Sequence, residues 1–289
     1  MNYYSDEGMR PTFLSGGPNS PMPSVSVSAG NAQFGFDNDF RRFMDAVLLG
    51  NDLVIVGAQY QRSPGGIISL AERPILSPKD LVGCRFLGQD GVETIVNAVL
   101  TMADLPIDYE YFPAGYSVAA LVEGQGDAYS AFAVNQPITL QTEYGMEEGK
   151  DFFFTSWAEL GLAGYANMMF CTRKFLEAEF DTVVGFLRAT IKGWLYNAKD
   201  PKFAPKLVVN GPGRDLGLEI DQQLIQNEIQ LEYMQSALTE EKGIFWIDPA
   251  EVERSMYPSL RATGRTNLPP ATEIFDTRAL QAAYKEISV

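Results

Sequence analysis

Apolar runs of strand length alternate with amphipathic segments in the first part of the chain. "AQFGF" and "LVIVGAQY" predict strands, and "NDFRRFMDAVLLGND" between them places Phe40, Phe43, Val47 and Leu48 on one helical face. Before them come "MRPTFLSGG", which has the pattern of a short strand, and "SPMPSVSVSAG", which has the pattern of a proline-led helix. The order βαβαβ predicts a mostly parallel sheet with helices on both faces.

The same alternation starts again after "SPKDLVG". Strands are predicted for "CRFLGQ", "DYEYFPA" and "DAYSAFAV", and helices for "DGVETIVNAVLTMADL", "SVAALVEG" and "NQPITLQTEYG". Two successive α/β units of similar order indicate two lobes that are built alike.

Two segments repeat one pattern, "VSVSAGNAQFGFDND" at 25–39 and "LVEGQGDAYSAFAVN" at 121–135. In each, a glycine follows an apolar helical run, an aromatic-rich strand comes next, and an asparagine follows. We expect Gly30 and Gly124 to end helices. "GQGDA" matches no nucleotide-binding glycine motif and precedes a strand, whereas a phosphate loop follows one, so we do not expect it to bind phosphate.

The last third of the chain is dominated by helical patterns. Amphipathic helices are predicted within 173–201, 222–238 and 277–287, and Asp248 is a good N-cap for a helix that starts at Pro249. No Gly/Ser-rich linker separates these segments from the rest, so we expect them to pack around the two lobes.

Composition removes several functional classes. The 289 residues carry a net charge of −15, which disfavours nucleic acid as a partner, because phosphate neutralisation needs clustered Lys and Arg. The sequence has no histidine, the commonest general base and metal ligand. Cys84 and Cys171 form no C-x-x-C motif and are interpreted as buried apolar residues. We therefore expect no catalytic centre, no metal and no cofactor.

Ligands of α/β sheets bind in loops at the carboxyl ends of the strands. These loops hold amides, carboxylates and tyrosines but one arginine, Arg62, which suits a flat, polar, uncharged or weakly cationic ligand. Asp90, in "GQDGVE", is interpreted as the N-cap of the following helix, which leaves little room for an anion there.

Several motifs together resemble the solute-binding proteins of bacterial ABC transporters, over nearly the whole chain. They are "YYSDEGM", "SGGPN", "LLGNDLVIVGAQYQRSPGGIISL", "PILSPKDLVGCRFLGQDG", "LVEGQGDAYSAFAVNQP", "GYANMMFCTRKFLE" and "FLRATIKGWLYNAKDP". The resemblance is to the subfamily that binds thiamine pyrimidine precursors. Related subfamilies bind riboflavin, or taurine, alkanesulfonates and nitrate, and fungal relatives are single-turnover pyrimidine synthases.

The resemblance implies an α/β, two-lobed, type II periplasmic-binding-protein-like fold, each lobe a mostly parallel sheet flanked by helices. It implies a discontinuous lobe I at 1–80 plus 168–289 and a lobe II at 81–167, which close on a small-molecule ligand and dock on ABC permease transmembrane subunits. A monomer in the periplasm, or anchored outside the cell, is expected. Members of the subfamily carry a signal peptide and a first strand ahead of the "YY-x-D-E-G" segment, so this chain looks truncated.

Position in the family pattern also implies a ligand-binding set. Tyr165, with Tyr60 or Tyr116, would stack on a heteroaromatic ring, while carboxylates and amides would contact its nitrogens. The first-choice ligand is a hydroxymethylpyrimidine or formylaminopyrimidine; riboflavin and sulfonate, taurine or nitrate are the alternatives. The fungal synthases use a histidine and a cysteine-rich motif, which this chain lacks, so an enzyme is not expected. The expected ligand-binding residues are Gly17, Asn19, Asp37, Asn38, Tyr60, Gln89, Asp90, Tyr116, Asn135 and Tyr165.

Overall fold

Eight strands form two separate sheets within residues 1–17 and 20–287, the part of the chain that the computed structural model describes. The strands are β1 (Gly35–Asp37), β2 (Leu53–Tyr60), β3 (Gly65–Leu70), β4 (Arg85–Gly88), β5 (Glu110–Pro113), β6 (Ala128–Phe132), β7 (Phe152–Ser156) and β8 (Ala166–Thr172).

The first sheet has the order β1-β8-β2, and both of its strand pairs are antiparallel. The prediction of a mostly parallel sheet in this lobe is therefore wrong. β2 leads out of the sheet towards the second lobe and β8 returns from it, so the two strands run in opposite directions. The segment "MRPTFLSGG" forms no strand, and Phe13 within it is exposed. β2 is buried along all eight residues, as its continuous apolar run predicts.

The second sheet has the order β5-β4-β6-β3-β7, and it combines both kinds of pairing. β4 pairs in parallel with β5 and β6, as the alternating pattern predicts, but β3 pairs antiparallel with β6 and β7. β3 lies before residue 80, so the pairing places it in the second lobe and not, as predicted, in the first. The chain crosses between the lobes at 61–64 and again at 163–165.

The helices flank these sheets, and most of the residues after 172 are helical. Single 3₁₀ turns lie at Pro78–Leu81 and Arg214–Leu216, and a π-helical turn at Val252–Met256. The α-helices are α1 (Tyr3–Asp6), α2 (Pro23–Ser28), α3 (Phe40–Leu48), α4 (Glu93–Met102), α5 (Ala119–Val122), α6 (Gln136–Thr142), α7 (Arg173–Ala178), α8 (Phe180–Lys199), α9 (Phe203–Asn210), α10 (Ile220–Tyr233), α11 (Ala237–Lys242), α12 (Pro249–Glu251), α13 (Tyr257–Ala262), α14 (Ala271–Ile274) and α15 (Arg278–Tyr284).

Each lobe has its own hydrophobic core. The first-lobe core surrounds β2 and β8 and includes Cys171, whereas the second sheet has one cluster on each face, with Ile67 and Cys84 on one side and Ile68 on the other. Both cysteines are buried and free, as predicted. The alternation of Ile67 and Ile68 between the two clusters follows the twofold period of β3.

Several local predictions are confirmed. Gly30 and Gly124 follow the ends of α2 and α5 with φ of +78° and +75°, a backbone region that glycine enters without steric cost. The Asp248 side chain accepts the backbone N–H of Ala250 and so caps α12. Within the described residues, no helix is both long enough and apolar enough to cross a membrane.

Candidate ligand-binding site

A cavity of about 380 Å³ lies between the two lobes, and we call it the cleft. The first lobe contributes residues from the end of β1, the start of α3 and Tyr165, and the second contributes residues from the carboxyl ends of β4 and β6. Both crossing segments also line it, at Ser63 and at Gly164. Its volume is in the range of pockets that enclose small organic ligands.

Six of the predicted site residues lie on the wall of the cleft. Asp37, Asn38 and Tyr165 come from the first lobe, and Gln89, Asp90 and Tyr116 from the second. The fold therefore brings together predicted site residues that lie far apart in the chain; Asp37 and Tyr165 are separated by 128 positions.

Three of the predicted residues lie away from the cleft wall, and Asn19 lies outside the described residues. Tyr60 is buried, but its hydroxyl donates to Gln230 Oε1 at 2.9 Å, so it faces helix α10. Asn135 is exposed ahead of α6, and Gly17 is exposed in the first lobe. Tyr60 therefore does not line the cleft, and the strand pattern alone does not show which face of β2 meets the cleft.

Gln136, which follows Asn135, has a structural role. Its Oε1 accepts the backbone N–H of Phe132 at 2.8 Å, and its Nε2 donates to the Tyr116 carbonyl. Gln136 therefore ties the end of β6 to the loop that carries Tyr116, and it positions a cleft residue without lining the cleft itself.

Asp37 is the most unusual polar group of the cleft. It ends β1, where its register with Met168 in β8 fixes its position, and it is only 9% exposed. Its Oδ1 accepts the backbone N–H of Asp39 at 2.8 Å, whereas Oδ2 is buried and has no partner among the described residues. Burial, the largest influence, raises the pKa of Asp37 to about 6, and the nearby charge of Asp39 acts in the same direction.

Two further residues of the cleft wall, Arg41 and Arg42, are not among the predicted site residues. Arg41 and Arg42 lie in the first turn of α3, which Asp39 caps by accepting the Arg41 N–H at 3.0 Å. Arg41 Nη2 lies 3.1 Å from Asp39 Oδ1, and Arg42 Nε lies 3.5 Å from Asp39 Oδ2. The first turn of α3 follows the end of β1 directly, so it lies at the same edge of the sheet as the loops in which ligand-binding residues are expected.

Arg62, the arginine that the loops did suggest, lies elsewhere. It is exposed, and its guanidinium carbon is 4.6 Å from the centre of the Tyr233 ring, outside the cleft wall. The positive charge of the cleft therefore comes from α3 and not from the loop after β2.

Arg42 joins the two lobes. Its Nη2 donates to the Asp90 carbonyl oxygen at 2.6 Å, across the cleft from α3. Helix α4 begins at Glu93 with no side-chain cap, so the prediction that Asp90 is its N-cap is wrong. Asp90 meets the first lobe through its backbone, and Gly91 beside it has φ of +82°.

Gln89 holds the rim of the second lobe in place. Its Nε2 donates to the Gly115 carbonyl at 2.9 Å and contacts the Tyr129 hydroxyl at 3.1 Å, while that hydroxyl donates to Gly115 at 2.7 Å. The amide that was expected to contact the ligand therefore supports the loop that presents Tyr116.

Aromatic side chains form the apolar part of the cleft. Tyr165 is 7% exposed, and its hydroxyl accepts the backbone N–H of Asp248 at 3.1 Å, which fixes the ring. Trp157 and Phe36 also line the cleft, although neither was predicted, and Tyr116 is largely exposed at the rim. Rings held in this way can contact a flat heterocycle on its faces.

A second cavity, of about 460 Å³, lies within the first lobe between α1, α8, α9 and α10. Its buried amides pair with each other: Asn197 Nδ2 donates to Asn227 Oδ1 at 2.8 Å, and Asn227 Nδ2 also donates to the Pro201 carbonyl at 2.8 Å. These polar groups are satisfied within the lobe, so the cleft is the better candidate site. Within the described part of the chain, no cluster of three or more His, Cys, Asp or Glu side chains could hold a metal ion.

Two lobes, two chain crossings and a cleft between them define the class of the periplasmic-binding-protein-like folds. The NMT1/THI5 like family profile matches residues 1–204, which is more than half of the chain. The protein belongs to this family.

Comparisons with individual proteins agree with this fold. The chain is 25% identical over 212 residues to a 4-amino-5-hydroxymethyl-2-methylpyrimidine phosphate synthase of Legionella pneumophila, covering 72% of this chain and 66% of that protein. It is similar to the solved structure of a putative periplasmic sulfonate-binding protein SsuA of Methylobacillus flagellatus, with a TM-score of 0.62, 14% identity and coverage of 91% and 78% of the two chains. It is also similar to the aliphatic sulphonate binding protein SsuA of Escherichia coli, with a TM-score of 0.61, 14% identity and coverage of 88% and 80%.

Proposed function

We propose that the protein is the extracytoplasmic solute-binding component of an ABC importer and that it binds a small heteroaromatic ligand in the cleft. The first candidate is a thiamine pyrimidine precursor such as a hydroxymethylpyrimidine or a formylaminopyrimidine. One observation carries the proposal: Asp37 and several aromatic residues line the cleft, and the buried Oδ2 of Asp37 has no hydrogen-bond partner among the described residues. A buried acceptor without a partner is costly, and an N–H of a heterocycle would satisfy it.

The location of the cleft supports a binding function. It lies between lobes that are joined by two short crossing segments, an arrangement that permits hinge closure around a ligand. Closure would remove the ligand from water and strengthen its hydrogen bonds to groups such as Asp37. The family and fold support a role outside the cytoplasm with permease subunits as partners. The protein is proposed to act as a monomer.

A sulfonate-type anion is the second candidate, because Arg41 and Arg42 line the same cleft. Both guanidinium groups already contact Asp39, however, and Asp37 adds a further carboxylate to the wall. An anion would meet Asp37 as a repelling neighbour. The ring ligand is therefore preferred over the sulfonate.

An enzymatic role is raised by the name of the Legionella relative. The fungal synthases of this fold consume one of their own histidines, and the 289 residues of this chain contain none. We therefore propose that the ligand is bound and released unchanged. Recovery of intact ligand from the denatured complex, checked by mass spectrometry, is the expected result.

Thermal shift against a ligand panel tests the proposal. The panel consists of 4-amino-5-hydroxymethyl-2-methylpyrimidine, its formylaminopyrimidine relative, riboflavin and taurine. A ligand held at 100 times its dissociation constant stabilises the folded state by about 2.7 kcal/mol, which raises the melting temperature measurably. A shift with the pyrimidines supports the proposal; a shift with taurine alone, or with no member of the panel, would overturn it.

A further inference from the structure

Two residues that line the cleft, Asp37 and Arg41, each have a buried polar atom with no hydrogen-bond partner among the described residues: Oδ2 of Asp37 and Nε of Arg41. Among the described residues, a third buried side-chain atom without a hydrogen bond is Nε of Arg188, a residue that does not line the cleft. It lies 3.1 Å from Glu7 Oε1, with which it forms an ion pair. The two buried unpaired atoms of the cleft-lining residues therefore lie within five residues of each other in the chain, at the junction of β1 and α3.

Local structure holds both side chains in place. Asp37 Oδ1 accepts the Asp39 N–H, so the carboxyl group is oriented, and Oδ2 is left buried without a partner among the described residues. The Asp39 side chain then holds Arg41 Nη2 at 3.1 Å, which leaves Nε as the guanidinium atom that needs an acceptor. Arg41 is 14% exposed, so water has little access to it.

The two atoms have opposite hydrogen-bonding character. An ionised Asp37 Oδ2 only accepts, and Arg41 Nε–H only donates. Each atom costs free energy if it stays buried without a partner. A ligand edge that offers a donor next to an acceptor satisfies both atoms at once.

We propose that Asp37 and Arg41 together select ligands that carry an amino group on the carbon next to a ring nitrogen. The amino N–H would donate to Asp37 Oδ2, and the ring nitrogen would accept from Arg41 Nε. This inference rests on the proposed function and specifies which edge of the heterocycle the protein recognises. A 4-aminopyrimidine has this edge, whereas a sulfonate offers acceptors alone.

The corresponding 4-oxopyrimidine is the critical comparison, because it has almost the same shape with the polarity of this edge reversed. Its carbonyl oxygen would face Asp37 Oδ2, and its ring N–H would face Arg41 Nε. Each contact would then pair two acceptors or two donors. A site built around such hydrogen bonds discriminates strongly against the reversed pattern.

Isothermal titration calorimetry with the two pyrimidines tests this inference on the wild-type protein. The probes are 4-amino-5-hydroxymethyl-2-methylpyrimidine and its 4-oxo analogue, at pH 8, where Asp37 is ionised. We expect the amino compound to bind at least about tenfold more tightly. Equal affinity for both compounds would overturn the inference and leave the proposed function standing. Binding of neither compound would overturn the inference as well, and the thermal-shift panel then decides the proposed function separately.

Asp37→Asn extends the test, since an asparagine amide can donate to the 4-oxo group. The variant should lose most of the preference for the amino compound and gain affinity for the oxo compound. Asp52→Asn is the matched control, because it removes the same charge from an exposed first-lobe position outside the cleft wall. The control should keep the wild-type preference, and an unchanged preference in Asp37→Asn would contradict the assignment of Asp37.

Discussion

The guanidinium group of Arg42 in the first lobe donates to the backbone carbonyl of Asp90 in the second at 2.6 Å. The same side chain lies 3.5 Å from Asp39, which caps its own helix. Arg42 is therefore anchored on one side of the cleft and bonded to the other. This contact links the two lobes directly across the cleft.

Replacing Arg42 should open the cleft. Arg42 is 39% exposed, so we expect Arg42→Ala to cost the closed form about 1 kcal/mol, which is about fivefold in the ratio of open to closed forms. Pulsed electron paramagnetic resonance between spin labels at the exposed residues Leu49 and Lys150 would report the separation of the lobes. Lys242→Ala, which removes a charge from a surface pair, should leave the distance distribution unchanged.

Gly91→Ala should break the same contact from the second lobe. Gly91 has φ of +82°, and a Cβ built on it would lie 2.1 Å from Arg42 Nη2. Gly83→Ala is a matched control, since Gly83 has φ of +70° and an added Cβ would meet no atom of the described residues within 4 Å. Both variants should lose about 1–2 kcal/mol of stability from backbone strain in urea unfolding, but Gly91→Ala alone should lengthen the distance between the labels. In an Arg42→Ala background, this lengthening should disappear.

Tyr165 and Tyr60 provide a matched pair for the ligand-stacking role. Each is 7% exposed in the first-lobe core, but the Tyr165 ring lines the cleft, whereas Tyr60 bonds to Gln230. Both alanine variants should lose roughly 3–5 kcal/mol of stability in urea unfolding, because each removes a buried aromatic ring. Binding measured at a temperature where both variants are folded should be abolished by Tyr165→Ala alone. Similar affinity in the two variants would remove Tyr165 from the site.

Asp127, in the "GQGDA" motif, is predicted to stabilise the second lobe. Its carboxylate accepts from Arg73 at 2.6 Å and from the side chain and backbone N–H of Arg85 at 2.8 Å each. Burial alone would raise the pKa of Asp127, but the hydrogen bonds from Arg85 and the nearby positive charges hold it below its usual range.

Asp127→Asn should therefore lower the free energy of unfolding at pH 7 by about 1–3 kcal/mol. The stabilisation is fully present above the pKa of an unfolded aspartate and is lost as the pH falls through the lowered folded pKa, so the variant and the wild type should converge in acid. Urea unfolding at pH 7 and pH 3 measures both effects. Glu147→Gln, in an exposed pair with Lys150, should change stability by less than about 0.5 kcal/mol.

Local patterns in the sequence predicted much of the fold and part of the site. Some features are set by residues that are neighbours in the chain and can be predicted locally. They are the buried strand β2, helix α3, the glycines that end helices, and the position of Asp37 at the end of β1. The antiparallel pairing of β8 with β1 and β2 depends on how the chain returns from the other lobe, which no local pattern encodes.

The differences between the predicted site residues and the residues that line the cleft have a similar cause. Tyr60 pairs with Ala166 at the end of the β2–β8 ladder, and this register turns its side chain towards α10. Side chains alternate between the faces of a strand, so the face of Tyr60 could not be known before the pairing was known. Arg42 was missed because its partner is the carbonyl of Asp90, and a backbone acceptor leaves no trace in the sequence.

Asp37 should make the stability of the ligand-free protein depend on pH. Burial is the main reason that its pKa is raised from 3.8 to about 6, and the negative charge of Asp39 acts in the same direction. Hydrogen bonds from the backbone N–H groups of Asp39 and Asn38 and the positive charge of Arg42 act in the opposite direction. Between these pH values the folded state holds more protons than the unfolded state, so the contribution of Asp37 to stability falls as the pH rises from 4 to 6 and is constant above. Asp37→Asn removes this titration, so its free energy of unfolding relative to wild type should rise by about 3 kcal/mol between pH 3.5 and pH 7.5. Urea unfolding across this pH range measures the effect. The plot of unfolding free energy against pH for the control Asp52→Asn should run parallel to that of the wild type. A parallel plot for Asp37→Asn would contradict the prediction and show that Asp37 titrates as an ordinary exposed carboxylate.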